Sequence, residues 1–300
     1  MRREVTVRSP AKVNLCLGVG PVRPDGYHPL ATVYQAIGLF DEVTVRPATR
    51  TSLRVVGDGV DVSAVPVDGA NLALRAVDLL ATRHGVTDGV EVTVRKRIPV
   101  AGGLAGGSTD AAATLVACDE LWGTGTSLDD MLALAGRLGS DVPFCIVGGT
   151  AAGSGRGEVV TAVPTRGGYW WVLALDHEGL STPEVYREFD RLHAEVPAPD
   201  PMVPDPLLTA LRAGDVKALG GSLSNDLQVP ALRLRPDLER VLRLGEQASA
   251  HGALVSGSGP TCLFLAESRE QAEEIRDRLF ADVPRLLCAP APVAGARVVR

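Results

Sequence analysis

Apolar and polar positions alternate along the first sixty residues, in EVTVR (4–8), KVNLCL (12–17), TVYQAI (32–37), EVTVR (42–46) and SLRVV (52–56). A period of two over short runs predicts strands. Residues 71–84, NLALRAVDLLATRH, change to helical spacing and stop at Gly85, a residue suited to the left-handed position after a helix. VEVTVRKR (90–97) returns to strand, and a glycine-rich loop leads into the helical DAAATLVACDELWG (110–123). The next helix opens at Ser127 with Asp130 three residues on, an approximate capping box. Leu128, Met131, Leu132, Ala135 and Leu138 line one of its faces before Gly139 ends it.

A second pattern begins near residue 160. YWWVLAL (169–175) predicts a strand, and Thr182-Pro183-Glu184 opens a helix with cap, proline and first-turn acid in order. Five prolines between 197 and 206 mark a loop. Beyond it come helical segments, the longest at about 236–249, strands at 253–256 and 261–266, a helix from Ser268 to about Phe280 and a final strand. The order is β-α-β-β-α-β with inserted helices, a split βαβ or ferredoxin-like layout. The predicted division is 1–158 and 159–300, with a last strand free to return to the first part.

Composition narrows the class. With 45% apolar and 22% charged residues, the chain reads as an ordinary globular protein. No stretch approaches the roughly 18 apolar residues of a membrane helix. The opening MRREVTVRSPAK has scattered charges and no apolar block of a secretory signal, so the expected location is cytoplasmic. A net charge of −6 and the lack of a Lys/Arg-rich run argue against a nucleic-acid partner. The basic residues are nearly all arginine, with lysine only at Lys12, Lys96 and Lys217, so a lysine inside a motif goes against the chain's habit. Cys16, Cys118, Cys145, Cys262 and Cys288 are odd in number and widely spaced, and read as reduced small residues rather than disulfides or zinc ligands.

Four segments carry candidate chemistry. PVAGGLAGGSTDAAATL (99–115) places Gly102, Gly103, Gly106 and Gly107 between a strand and a helix, where backbone N–H groups and the helix dipole can receive phosphate. It is neither the common P-loop, since Gly107 and not lysine precedes Ser108, nor a GxGxxG turn, and a tight turn beside an alanine helix remains open. In SPAKVNLCLGV (9–19), Lys12 and Asn14 share one strand face, which can equally be a solvated face. Downstream, PDGYHPL sets Tyr27 and His28 just after a turn. GSDVPFCIVGG holds Asp141 between a helix end and an apolar run, where it can simply cap a short helix, and LVSGSGPTCLFL can be a plain hairpin.

In order and spacing, PAKVNL (10–15), PVAGGLAGGST (99–109) and SGSGPT (256–261) resemble the three motifs of the GHMP kinase superfamily. PAKVNLCL running into PDGYH, the doubled glycines and GSDVPF are most similar to its branch that acts on a cytidine diphosphate-linked methylerythritol in isoprenoid precursor synthesis. The resemblance implies an α+β fold in two domains, the first like ribosomal protein S5 domain 2 and the second ferredoxin-like, with the site in the cleft between them. It implies ATP and Mg2+ as cofactors, with no metal ligand assigned. Lys12 and Asp141 would be the catalytic pair. Pro99, Val100, Ala101, Gly102, Gly103, Leu104, Ala105, Gly106, Gly107, Ser108 and Thr109 would form the ATP phosphate loop, with Asn71 near the adenine. Asn14, Tyr27, His28, Tyr186, Gly257 and Ser258 would contact the acceptor. No nucleic acid, membrane or obligate protein partner is implied.

Three other readings compete. A GHMP kinase acting on homoserine or mevalonate is opposed by Tyr27, His28 and Tyr186, which suit a nucleobase better than a short aliphatic alcohol. A non-catalytic sensor on the same fold should lack the lysine or the base. A nucleic-acid module on an S5-like fold is opposed by charge.

Overall fold

The computed structural model describes residues 4–176 and 178–299. The elements are β1 (Val5–Val19), β2 (Leu30–Ala48), β3 (Ser52–Gly57), α1 (Leu72–His84), β4 (Gly89–Lys96), α2 (Gly106–Trp122), α3 (Leu128–Leu138), α4 (Val142–Val147), β5 (Thr150–Ser154) and β6 (Val159–Ala162). They continue as β7 (Tyr169–Ala174), α5 (Thr182–Leu192), α6 (Asp205–Ala213), α7 (Val216–Gly220), β8 (Ser224–Asn225), α8 (Gln228–Leu234) and α9 (Asp237–Gln247). The chain ends with β9 (Gly252–Val255), β10 (Cys262–Ala266), α10 (Arg269–Leu279), β11 (Leu286–Ala291) and β12 (Arg297–Val298).

Two pairs of predicted strands are each one long strand. SPA (9–11) and GLFD (38–41) interrupt the alternation, but the backbone passes through both, with a register shift between Pro10 and Ala11. Pro10 pairs with Phe40 and Ala11 with Ile37, so Gly38 and Leu39 are the extra residues of a bulge that bends the hairpin. Proline lacks the N–H of a regular ladder and is accepted at such a bulge. The bend lets β1 serve two environments. Val5 and Val7 pack under α1, α2 and α3, whereas Ala11, Val13 and Leu15 meet the second sheet.

The first sheet runs β12-β1-β2-β4-β3, with β5 and β6 continuing from β2 and β8 pairing with β1. The second runs β11-β7-β10-β9, all antiparallel, the ferredoxin-like order. Its central strands are apolar on both faces because both are covered. Trp171, Leu173, Leu263 and Leu265 face the first sheet, while Val172, Cys262 and Phe264 face α5, α8, α9 and α10. Short segments of the second half, β8 and β12, pair with β1. Among the described residues no helix is long and apolar enough to cross a membrane.

Candidate active site

The sequence of the glycine loop produces an uncapped helix end. Ala101, Gly103 and Ala105 take left-handed φ of 57°, 73° and 61°, and α2 starts at Gly106, four residues before the predicted helix. Ala105, at the N-cap position, makes no side-chain bond to the first-turn amides. These N–H groups and the positive end of a 17-residue helix therefore face the cavity that the loop lines. Thr109 is turned away, donating its hydroxyl to Pro10 O at 2.9 Å. The third motif clasps the loop from the second half: Ser256 Oγ donates to Gly103 O at 3.2 Å.

The cavity measures about 890 Å³, the size of a site for a nucleotide-scale ligand. Lys12 and Asn14 project into it from β1, their side chains almost wholly buried. Lys12 Nζ donates to Asn14 Oδ1 at 2.8 Å and lies 3.5 Å from Asp141 Oδ2. Asn14 donates onward to Thr32 Oγ1 at 2.8 Å, which fixes its amide so that the oxygen faces the lysine. Asp141 precedes α4, a helix absent from the predicted elements, and although it stands at the cap position its side chain makes no capping bond. The carboxylate is left for the cavity. A plain capping role is thereby excluded.

At one end stand the glycine loop and Asn71. Asn71 caps α1, with Oδ1 accepting from Ala73 N at 2.9 Å and Nδ2 donating to Pro66 O at 2.6 Å, so the side chain's chief bonds are already made. Tyr27, His28 and Tyr186 line another part of the cavity, while Gly257 lies beside Lys12, Asn14 and Gly103, and Ser258 is hydrogen-bonded to Thr182 at 2.8 Å. His28 Nδ1 is 2.8 Å from Gly20 O. A carbonyl only accepts, so Nδ1 carries the proton and Nε2, 3.6 Å from Asp190, is the acceptor in the neutral ring. The Tyr186 ring lies 5.0 Å from His28 at 35°, and burial followed by the Asp141 charge pushes its phenol up. Tyr27 is half exposed under the guanidinium of Arg156, which stands 5.0 Å from its centroid.

Four cavity residues were not singled out by sequence. Lys96 is buried between Asp41 (2.6 Å) and Asp110 (2.7 Å) beneath the loop. Its rarity in an arginine-rich chain was the signal that could have found it. Burial lowers the Lys96 pKa, but Asp110 and Asp41 together leave it raised. Burial holds the Asp110 carboxyl well above the usual range, with Lys96 opposing and Asp41 adding. Tyr34 and Arg156 sit on or beside strands whose pairing no local pattern discloses. Tyr34 is buried against Lys12, whose ammonium is 5.5 Å from its ring centroid. Among the described residues no group of three His, Cys, Asp or Glu side chains is placed to hold a metal.

Models of the GHMP kinase N-terminal and C-terminal domains match residues 71–149 and 207–285. The chain belongs to the GHMP kinase family, and it is an enzyme of the phosphotransferase class. It is similar to 4-diphosphocytidyl-2-C-methyl-D-erythritol kinase of Nocardioides sp., at 56% identity over 98% of this chain and 99% of the relative. The crystal structure of a 4-(cytidine 5'-diphospho)-2C-methyl-D-erythritol kinase superposes with a TM-score of 0.79 at 33% identity, covering 96% of this chain and 100% of the other. A homoserine kinase structure from Cytophaga hutchinsonii, 19% identical with a TM-score of 0.76, covers 100% of this chain and 98% of the other and shares the fold.

Proposed function

We propose that this chain transfers the γ-phosphoryl group of ATP to the 2-hydroxyl of 4-diphosphocytidyl-2-C-methyl-D-erythritol, giving the 2-phosphate and ADP, and so serves isoprenoid precursor synthesis. The observation that carries the reading is the Lys12–Asp141 pair, 3.5 Å apart on the wall shared by a phosphate-type loop and an aromatic, His-bearing recess. The similarity to kinases named for this substrate supports the choice of acceptor. In the domain organisation we propose, residues 1–158 supply most of the ATP site and residues 159–300 share the acceptor.

The chain's own groups divide the work as follows. The loop 99–109 and the open end of α2 hold the triphosphate through backbone N–H groups. The oxygens on the cavity wall that fit a hard cation are the Ser108 hydroxyl and Asp110 Oδ1, a buried atom with no partner among the described residues. These two oxygens would hold Mg2+, which would supply charge neutralisation for the ATP phosphates. Asn71 lies beside the adenine, acting through its remaining N–H and its packing. His28 Nε2, an acceptor, suits the exocyclic amine of cytosine, and Tyr27 and Tyr186 offer ring faces to the base. Asn14, Gly257 and Ser258 line the acceptor's path to Lys12.

Phosphoryl transfer has a loose transition state and asks the protein mainly to position groups and neutralise charge. Proton removal can therefore come late, and a carboxylate suffices as the base. Asp141 takes the proton of the acceptor hydroxyl, and Lys12 stabilises the charge on the attacking and transferring oxygens. Steady-state ADP release with this acceptor, homoserine and mevalonate tests the substrate, and turnover confined to either other alcohol would overturn it. Asp141→Asn should lower kcat by about 10² to 10⁴ while ATP binding, read by calorimetry, is nearly retained. A loss below about tenfold would remove Asp141 from the role.

A further inference from the structure

Tyr34 has a placement that core packing alone does not explain. It pairs with Asn14 across β1 and β2, and Lys12 pairs with Ala36, so the tyrosine ring and the lysine are diagonal neighbours on the face that lines the cavity. The ring lies under the Lys12 ammonium at 5.5 Å, a cation–π distance. The ring also stacks on Phe144, with centroids 4.9 Å apart, three residues beyond Asp141 on α4, in a small cluster with Ala36 and Ala151. The Tyr34 phenol is near enough to Asp141 for that carboxylate's charge to add to burial in raising its pKa. The neighbouring hairpin β5–β6 makes room for the whole phenol. A Cβ at Gly153 would sit 2.5 Å from Cε2, and one at Gly157 would collide with the phenolic oxygen itself.

We propose that Tyr34 is the positioning residue of the catalytic pair, its ring carrying the Lys12 ammonium and its hydroxyl holding the Asp141 carboxylate toward the acceptor. The inference rests on the Lys12–Asp141 assignment above, not on which alcohol is phosphorylated. Burial and then the Asp141 charge hold the Tyr34 phenol well above its usual range, so it stays a donor throughout the working pH range. The charged and titratable groups facing the hydroxyl and the carboxylate are Lys12 from β1, Tyr186 from α5 and Cys145 from α4. Tyr34→Phe alters none of them. It keeps the ring, the stack and the cation–π contact and removes one donor.

The experiment is a double-mutant cycle of Tyr34→Phe and Asp141→Ala in the full chain, read by kinetics and by thermal unfolding. Tyr34→Phe is expected to lower kcat about tenfold, the scale of one hydrogen bond to a charged group, with both KM values nearly unchanged. In the Asp141→Ala background the same change should alter kcat by less than about twofold, and the two effects on the unfolding midpoint should not add. Tyr34→Leu, which also takes away the ring, should lower kcat further. A full tenfold loss persisting without Asp141, or a raised acceptor KM with kcat kept, would make the hydroxyl a direct substrate contact and overturn the proposal. A fall in melting temperature with kcat unmoved would reduce Tyr34 to packing. If the enzyme turns over a different alcohol, the kinetic arms are read with that alcohol. Should no alcohol be turned over, additive unfolding effects overturn the proposal and non-additive ones support it.

Discussion

The loop residue Gly103 is held from two sides. Its φ of 73° belongs to the left-handed region, and a Cβ there would lie 2.5 Å from Ser256 O and 3.1 Å from Gly259 O. The backbone of the third motif can press against the phosphate loop only because position 103 has no side chain. Gly103→Ala is expected to cost about 2 kcal/mol or more, from the left-handed penalty of about 1–2 kcal/mol plus the clash. It should also weaken ATP binding, because the loop must leave Ser256. A melt within a degree or so of wild type, with ATP affinity kept, would show the clasp to be dispensable. Legibility differs residue by residue along this loop. The glycines announced a turn in the sequence, but Ala101 and Ala105 adopt the same left-handed geometry at φ 57° and 61° with no compositional sign of it. Tertiary contacts impose that conformation on residues that do not prefer it.

At the scale of elements, the phosphate loop rests on an ion triad that ties β2, β4 and α2 together. Lys96 ends β4, Asp110 lies in the second turn of α2, and Asp41 on β2 also accepts from Arg97 N at 2.6 Å and Ile98 N at 2.8 Å. Lys96 Nζ further reaches Gly106 O at 3.4 Å, so the cation sits directly under the start of the helix. Removing it would leave two buried carboxylates facing each other. Lys96→Met should therefore destabilise by about 3–5 kcal/mol, the cost of stripping one partner from a buried pair, and equilibrium denaturation would measure it. A change under about 1 kcal/mol would mean that water or a proton on Asp110 already compensates. The helices of the first half were legible because caps and apolar spacing are local: Asn71 and Gly85 bound α1, and Ser127 bounds α3. The bent strands were not, because Pro10 and Gly38 look like strand ends until the bulge pairs them across the hairpin. Helix α4, six residues long with Pro143 in its first turn, has too few positions to show a period. The Lys12–Asp141 approach joins β1 to the residue before that short helix. No spacing in the chain encodes it, so only the resemblance to a family could put the two residues together beforehand.

For the whole molecule, the decisive feature is that the two sheets share a core. Ala11, Val13, Leu15, Val33 and Ile37 of the first pack with Tyr169, Trp171, Leu173, Leu263 and Leu265 of the second. Gln35 bridges them in the middle, accepting from Trp171 Nε1 at 2.9 Å and donating to Thr150 Oγ1 at 3.2 Å. Relative motion of domains is the usual expectation where interfaces are small and polar, but this one is apolar and is reinforced by β8 and β12 pairing with β1. The cleft that carries Lys12, Asp141 and the third motif is thus a fixed junction, and each face of the site lacks a wall without the other. It follows that the two parts should not unfold separately. Scanning calorimetry is expected to give one endotherm with calorimetric and van't Hoff enthalpies in agreement. Gln35→Leu leaves the buried Trp171 N–H without an acceptor, which should cost about 1–3 kcal/mol and lower the midpoint by several degrees while preserving the single transition. Two resolved endotherms in the wild-type protein, or a transition split by Gln35→Leu, would show that the halves are autonomous and that the cleft between them is free to open.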